Sequence, residues 1–306
     1  MSPNIRSIIA AGVASAALFF TVLALGLGFF FFFLPTLPLF YVGLKAGSRV
    51  SLHASLVASL LVCVITGAVA VGVMFYLLLG LPCWFVVLNA LSHRTTADGS
   101  EIFYPLGRIW LRLALAACCL MAFITAYYAT QEQNLPAMLT AHIEAAFVNF
   151  SGEYAKAIEA LSNNSFLIMA VMVWLWGIGL YVHLWLANML LLKQGQALRP
   201  SMAVLPFAMP SWMFSLITIC ALASLIGGQS MAFLGKTLLL CLAMPYFFLG
   251  LAHVHEASQQ WPNRKFLLFL LYFVVVAQLW PTLLLAGWGF WQHLKIINKH
   301  LPSDRA

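Results

Sequence analysis

Residues 166–192 read FLIMAVMVWLWGIGLYVHLWLANMLLL, a run of 27 positions without Asp, Glu, Lys or Arg. A helix needs roughly 20 predominantly apolar residues to cross the hydrocarbon core of a bilayer. This run therefore predicts a membrane-spanning helix. Similar runs recur along the whole chain, and their recurrence decides the fold class.

The overall composition supports the same interpretation. Of the 306 residues, 63% are hydrophobic and 8% are charged, and the mean hydropathy is +0.97. A soluble domain is about half apolar and about a quarter charged. The chain has too few charges to cover a water-facing surface. We therefore expect an all-α, polytopic helical membrane protein, which excludes a soluble domain, a disordered chain and a disulfide scaffold.

The apolar runs predict about eight crossings, with a range of about seven to nine, in a single membrane domain over residues 1–306. The first run is too long for a signal peptide and has no small-residue cleavage site after it, so we expect it to stay uncleaved. The predicted spans are 8–25, 27–46, 50–71, 73–92, 107–129, 166–192, 203–226, 231–252 and 266–290, the second broken at Pro35 and Pro38.

The basic residues predict the orientation. Ten Lys and Arg residues fall on one side of this layout: Arg6, Lys45, Arg49, Arg94, Arg108, Arg112, Lys193, Arg199, Arg264 and Lys265. Only Lys156 and Lys236 fall on the other side. Cytoplasmic loops carry an excess of Lys and Arg, so the first side is expected to be cytoplasmic. Nine crossings would place the polar, basic tail at 292–306 outside, and the parity of the span count stays open.

The long segment 130–165 is expected on the non-cytoplasmic side. Within it, apolar residues recur every three or four positions from Leu139 to Leu161. This spacing predicts one amphipathic, interfacial helix over about 137–161. The helix could be a packing lid on the bundle or a docking surface for a partner.

No reaction chemistry is indicated. Every Asp and Glu lies in a loop, in the tail or in the amphipathic segment, whereas proton-driven machines need carboxylates inside the membrane. The six cysteines lie in apolar runs without a CxxC pair, so no metal site and no disulfide framework is predicted. Phosphate-binding loops and nucleophile motifs are also missing. We expect no enzyme activity, no catalytic residue, no cofactor and no nucleic-acid partner.

Two deep polar residues are the candidate binding groups. His183 shares a helix face with Trp176 and Gly179 in the 166–192 span, and Gln278 lies near the middle of 266–290. Lipid offers neither side chain a hydrogen-bond partner, so we expect both to point into the bundle. Each could be a structural polar bridge between helices or a ligand contact.

Prolines supply further candidate binding positions. Pro281 cannot donate to the carbonyl four residues earlier and is expected to kink its span. Pro35 likewise interrupts the 27–46 span, while Pro82 and Pro245 bend two others. Broken helices with freed carbonyls line the sites of many transporters. If the chain binds a solute, His183, Gln278, Trp176, Pro35 and Pro281 are expected to line one cavity.

Two smaller patterns concern helix packing. Ser51, Ser55 and Ser59 form a small-residue stripe typical of close helix contacts. PLFYVGL at 38–44 is echoed by PYFFLGL at 245–251. We attribute the echo to the Phe- and Leu-rich composition of the chain rather than to a duplication.

Three stretches resemble a known family. They are LPTLPLFYVGLKAG at 34–47; LP at 81–82 followed by NAL at 89–91 and FYPLG at 103–107; and GLAHVH at 250–255 followed by LYF at 271–273 and LWP at 279–281. Together they resemble the YybS-like family of bacterial multi-pass membrane proteins, a domain of unknown function. That family is distantly similar to the substrate-binding S subunits of energy-coupling-factor transporters and to the rod-shape protein MreD.

The resemblance implies a role in a bacterial inner membrane. S subunits dock their partner through small residues four apart on the first helix, and Ala10 with Ala14 and Gly12 with Ala16 have this spacing. The leading hypothesis is a small-solute binding or transport component that lacks its own energy source. The alternative is a structural or assembly scaffold without a ligand, as for MreD. The expected partners are the lipid bilayer and a membrane protein; the small-molecule ligand is not specified by the sequence.

Overall fold

The computed structural model describes residues 3–26, 32–130, 134–147, 155–199, 209–278 and 280–300. The described chain is almost entirely helical. Its helices are α1 (Pro3–Ala24), α2 (Thr36–Ala46), α3 (Ser48–Thr66), α4 (Val69–Phe75), α5 (Leu81–Ala90), α6 (Leu106–Thr130), α7 (Leu135–Ala146), α8 (Ala155–Asn163), α9 (Phe166–Lys193), α10 (Met213–Ile226), α11 (Gln229–Ala257), α12 (Arg264–Gln278) and α13 (Pro281–His300). A π-helical turn (Tyr76–Gly80) joins α4 to α5, and a short 3₁₀ turn (Ser258–Gln260) follows α11.

The predicted class, an all-α integral membrane protein, is confirmed. Six helices in the described ranges are long and apolar enough to cross a membrane: Asn4–Ala24, Ser48–Thr66, Val69–Ala90, Leu106–Thr130, Phe166–Lys193 and Gln229–Gln260. Their surfaces carry many exposed Leu, Ile, Val and Phe side chains. Such surfaces suit a lipid environment, since a soluble monomer rarely exposes large apolar patches.

The chain divides into two units. The first contains Met1–Ile109 and Leu175–Ala203, and the second contains Trp110–Trp174 and Val204–Ala306. In the first unit, α1 packs along α3, while α2, α4 and α5 pack on other parts of α3. The central position of α3 follows from its small residues, because they let neighbouring backbones approach closely.

The serines of α3 make these close contacts. Ser51 and Ser55 are fully buried. Ser55 Oγ lies 3.3 Å from the Gly80 carbonyl oxygen, and Ser59 Oγ donates to the Gly72 carbonyl oxygen at 2.7 Å. A Cβ atom on Gly72 would lie 2.7 Å from Cys63 Cβ. The stripe packs as its spacing predicted, with hydroxyl groups facing glycines.

A β-hairpin joins α5 to α6, between the predicted spans 73–92 and 107–129. β1 (His93–Thr95) pairs antiparallel with β2 (Glu101–Phe103), in the register that places His93 opposite Phe103. The turn contains Gly99 at φ 81°, a conformation that favours glycine. The Asp98-Gly99 pair is a common hairpin signal between β-branched and aromatic residues, so the hairpin could have been predicted.

In the second unit, α11 packs against α10 on one side and α13 on another. The crossing of α11 and α13 depends on glycines. A Cβ atom on Gly250 would overlap the Leu285 carbonyl oxygen, and a Cβ atom on Gly289 would overlap the Tyr246 carbonyl oxygen. The two backbones therefore touch, which requires residues without side chains at both positions.

Two predicted spans contain helix ends at prolines, at Pro35 as expected and at Pro281 where only a kink was expected, while α2 continues through Pro38. The described part of the 27–46 span holds only α2, which has 11 residues and is too short to cross a bilayer alone. The 266–290 span forms two helices, α12 and α13, and Pro281 is the first residue of the second one. Proline suits the first helical turn because its missing N–H has no partner to lose there.

The single amphipathic helix expected at 137–161 is also divided. α7 ends at Ala146, with Phe147 at its C-cap, and α8 begins at Ala155. The two helices pack against each other, and the Thr140 hydroxyl donates to the Ser162 carbonyl oxygen at 3.1 Å. Ile143 is buried and Phe147 is 39% exposed, whereas Phe150 lies outside the described residues.

Candidate functional site

Trp176 is placed by a proline on another helix of the first unit. Pro82 has no N–H to donate to the Leu78 carbonyl, four residues earlier. The indole Nε1 of Trp176 donates to that carbonyl oxygen at 2.8 Å. The carbonyl lies within the π-helical turn, an irregularity often found at functional sites. Here the freed carbonyl is satisfied by the protein itself.

Gly179, on the same face of α9 as Trp176, packs against the aromatic ring of Phe33. A Cβ atom on Gly179 would lie 2.6 Å from the Phe33 ring. Phe33 belongs to a buried cluster on which Trp176 packs, formed with Ala16, Phe19, Ala58, Val62, Phe75 and Leu79. Phe19 and Phe75 meet edge to face, with ring centroids 5.3 Å apart. Trp176 and Phe33 are therefore part of a packed apolar cluster.

His183 lies one turn beyond Gly179 on the same face of α9 and is half-buried. Its Nδ1 lies 2.8 Å from the carbonyl oxygen of Gly179. A carbonyl can only accept, so Nδ1 carries the proton, and Nε2 of the neutral ring is left as an acceptor. A half-buried acceptor on a membrane helix can receive a hydrogen bond from a solute or from another helix.

Pro35 is buried, and its carbonyl accepts a hydrogen bond from Ser15 Oγ at 2.7 Å. The hydroxyl of Thr36 donates to the Phe33 carbonyl at 2.7 Å. The two carbonyl groups just before α2 therefore accept hydrogen bonds from within the protein, one from Ser15 of α1 and one from Thr36 at the start of α2. These carbonyls are no longer free for a ligand.

Gln278 and Pro281 belong to the second unit. Gln278 is the last residue of α12 and its side chain is exposed, whereas Pro281 is buried at the start of α13. The sequence predicts Gln278 near the middle of one continuous span. In the structure it lies at a helix end, because one helix ends at Gln278 and the next begins at Pro281. His183 and Pro35 belong to the first unit, and a cavity shared with Gln278 stays a prediction.

The small residues of α1 fall on different faces. Gly12 and Ala16 are buried, and a Cβ atom on Gly12 would lie 2.6 Å from Val57 Cγ1 of α3. Ala10 and Ala14 are exposed. The Gly12 and Ala16 face is therefore used for packing within the chain, and the Ala10 and Ala14 face remains for a docking partner.

A cleft beside the β-hairpin was not anticipated. It has a volume of about 430 Å³ and is lined by Ser92, His93, Arg94, Ile102, Phe103, Tyr104, Pro105 and Arg108. Arg199 lies beneath the hairpin, 5% exposed, and donates from one nitrogen to the carbonyls of Ala90 at 2.8 Å and Tyr104 at 3.0 Å. Burial lowers the pKa of Arg199 to about 10. Its guanidinium also lies over the Phe103 ring, 5.3 Å from the centroid.

A second unanticipated polar contact lies in the second unit. The Tyr246 hydroxyl is 3.0 Å from Nδ1 of His293, and the Phe214 ring stacks on the His293 ring at 4.7 Å. His293 is 1% exposed. The contact joins α11 to α13 one turn from the Gly289 crossing, so it fixes the register of these two helices.

Comparisons with known proteins add no relative. No family model matches the chain, and no curated protein or solved structure matches it. Arguments about function therefore depend on the geometry described above.

Proposed function

We propose that this chain is a non-enzymatic, multi-pass component of a bacterial inner membrane that binds a small solute and has no energy source of its own. Its role would be similar to that of an S subunit. We also propose membership of the YybS-like family. Gly43 and Gly250, each in a stretch that resembles that family, occupy close-packed positions of their own units.

The proposal includes about eight crossings. Six of them would be the long apolar helices of the described ranges. The others would come from the predicted span 203–226, which contains α10, and from the region 264–300, which contains α12 and α13.

The single observation that carries the binding proposal is the state of His183. Its Nδ1 is engaged by Gly179, which leaves Nε2 of the neutral ring as an acceptor on a largely apolar helix. An acceptor at membrane depth that receives no hydrogen bond is costly, so a histidine at this position favours a ligand that donates a hydrogen bond to Nε2.

The test is to identify small molecules that co-purify with the protein in mild detergent, by mass spectrometry. His183→Leu is expected to lower the bound amount about tenfold, the effect of losing roughly 1.4 kcal/mol. His53→Leu is the matched control, because His53 makes the same contact to its own helix, from Nδ1 to the Arg49 carbonyl at 2.6 Å, but is exposed. Equal amounts in the two variants would contradict the proposal.

A scaffold without a ligand is the second candidate. Trp176, Pro35, Gly12 and Ala16 are all used in internal contacts, while Ala10 and Ala14 remain exposed for a partner helix. Under this hypothesis, Ala10→Leu with Ala14→Leu should release a co-purifying membrane protein, and Ala126→Leu, an exposed alanine of α6, should not. Retention of the partner by both variants would count against the scaffold.

A further inference from the structure

The cleft beside the β-hairpin is rich in positive charge. Arg94 on β1 and Arg108 at the start of α6 both line it and are both exposed. Within the described ranges, no carboxylate forms an ion pair with either guanidinium. Of the two acids of the hairpin, Glu101 lies 3.9 Å from His93, and Asp98 is bonded to Thr96 and Ser100 in the turn.

The position of Arg108 argues for an anion. It lies in the first turn of α6, where the helix dipole favours negative charge and disfavours a cation. Local helix stability therefore does not explain this arginine. An anion in the cleft would face two guanidinium groups and the positive end of the helix.

Arg199 holds two residues near the cleft in place through hydrogen bonds. Arg199 donates to the last residue of α5, Ala90, and to Tyr104 just after β2. These two hydrogen bonds tie the residue that follows β2 to the last residue of α5. Arg199 is therefore a positioning residue, and the ligand-facing cations are Arg94 and Arg108.

The location of the cleft points to a lipid. The hairpin connects two helices long enough to cross the membrane, Val69–Ala90 and Leu106–Thr130, so the cleft lies where they emerge at the surface. Ile102 lines the same cleft and is 46% exposed. A cationic cleft with an exposed apolar side chain at this level suits a headgroup phosphate with its acyl chains nearby.

We propose that this cleft binds the phosphate group of an anionic phospholipid headgroup, with Arg94 and Arg108 as its ligands. Guanidinium groups bind phosphate through two parallel hydrogen bonds, which gives geometry as well as charge. A free phosphate has the same chemistry, and the experiment distinguishes the two sources.

The experiment uses the full chain in nanodiscs of phosphatidylglycerol and phosphatidylcholine in equal amounts. After release into detergent, native mass spectrometry counts the lipids retained. The wild type is expected to retain phosphatidylglycerol in preference to phosphatidylcholine. Arg94→Gln with Arg108→Gln should reduce this retention about tenfold or more, since each basic residue near an anionic surface contributes about 1 kcal/mol.

The matched control is Arg49→Gln with Lys265→Gln. Both residues are exposed, neither lines the cleft, and the pair removes the same charge. The control should retain phosphatidylglycerol as the wild type does. Equal losses in both pairs, or no loss in the cleft pair, would overturn the proposal. Arg94 and Arg108 are exposed, so the fold should tolerate their loss; the single variants, with intermediate retention, provide a second check.

A competition arm separates lipid from soluble phosphate. Inorganic phosphate and glycerol phosphate are added to the protein with bound phosphatidylglycerol. We expect millimolar concentrations of either to leave the lipid bound, because it is also held by its acyl chains. Displacement at micromolar concentrations, without a preference for phosphatidylglycerol over phosphatidylcholine, would overturn the lipid assignment.

Discussion

Two glycines decide the closest helix contact in the second unit. Gly250→Ala or Gly289→Ala would push a methyl group into the backbone of the facing helix, and a backbone cannot move as a flexible side chain can. We expect each substitution to lower the free energy of unfolding by about 2 kcal/mol or more, in the range of overpacked cores. Unfolding in detergent, followed by circular dichroism, measures the loss.

Gly287 is the control for this prediction. It lies in the same helix, α13, and a Cβ atom there would meet nothing within 4 Å. Gly287→Ala should be neutral or stabilising by up to about 1 kcal/mol, because alanine has the higher helix propensity. If Gly287→Ala destabilised the protein as much as Gly289→Ala, the close crossing would not be the cause.

The indole of Trp176 should matter through one hydrogen bond. Trp176→Phe keeps an aromatic ring but leaves the Leu78 carbonyl, freed by Pro82, without a donor. The expected loss of stability is about 0.6–2 kcal/mol, the scale of hydrogen bonds between membrane helices. Trp185 of the same helix is 48% exposed, and Trp185→Phe should cost less. The opposite order would contradict the assigned role.

At the scale of elements, the hairpin turn should respond to acid. Hydrogen bonds from Thr96 and then Ser100 lower the pKa of the exposed Asp98 carboxyl from its usual 3.8. The charged form is therefore favoured in the folded turn. The stabilisation is complete above the unfolded pKa and disappears as the pH falls through the lower, folded value.

Amide hydrogen exchange at Ser100 reports this change, because the Ser100 N–H lies 3.3 Å from Asp98 Oδ1. Its protection at pH 6 should decrease between pH 4 and 2, beyond the intrinsic pH dependence of exchange. In Asp98→Ala, the Ser100 amide should show low protection at both pH 6 and pH 2. Constant protection of the wild type across this range would mean that the carboxylate does not order the turn.

The helical elements were largely predictable because each depends on a local signal. The apolar run 107–129 became α6, Leu106–Thr130, and 166–192 became α9, Phe166–Lys193. The errors have local causes as well. The position of Pro281 within an apolar run predicts a kink, whereas the structure begins a helix there. The Asp98-Gly99 pair is a local turn signal, and the structure forms a hairpin around it.

The candidate site was less predictable because it depends on contacts between distant residues. The sequence places Trp176 on the same helix face as His183, but its hydrogen bond goes to the Leu78 carbonyl, which Pro82 leaves without a backbone donor. The sequence shows Arg199 only as one of several basic residues between predicted spans, whereas in the structure it is buried and donates to two carbonyl groups. Nothing in the local sequence of either residue specifies its acceptor.

At the scale of the whole molecule, orientation is the main prediction. The bias of Lys and Arg predicts that the hairpin lies in the cytoplasm and that the segment with α7 and α8 lies outside. With the six native cysteines replaced, Asp98→Cys and Glu144→Cys should react with a membrane-impermeant maleimide from opposite sides. Both positions are exposed, so access does not limit labelling. Reaction of both from the same side would refute the layout.

The interruption between α12 and α13 also means that membrane insertion and helix packing depend on different features of residues 266–290. The insertion machinery selects segments by hydrophobicity over windows of about 19 residues, and it would read residues 266–290 as one apolar stretch. The glycine contact with α11 is made by α13 alone, and it forms only between helices that have already been inserted. The Gly289→Ala variant should therefore insert into the membrane with unchanged topology but fail to pack α13 against α11. We expect it to be degraded by membrane quality control after insertion, with no defect in insertion itself.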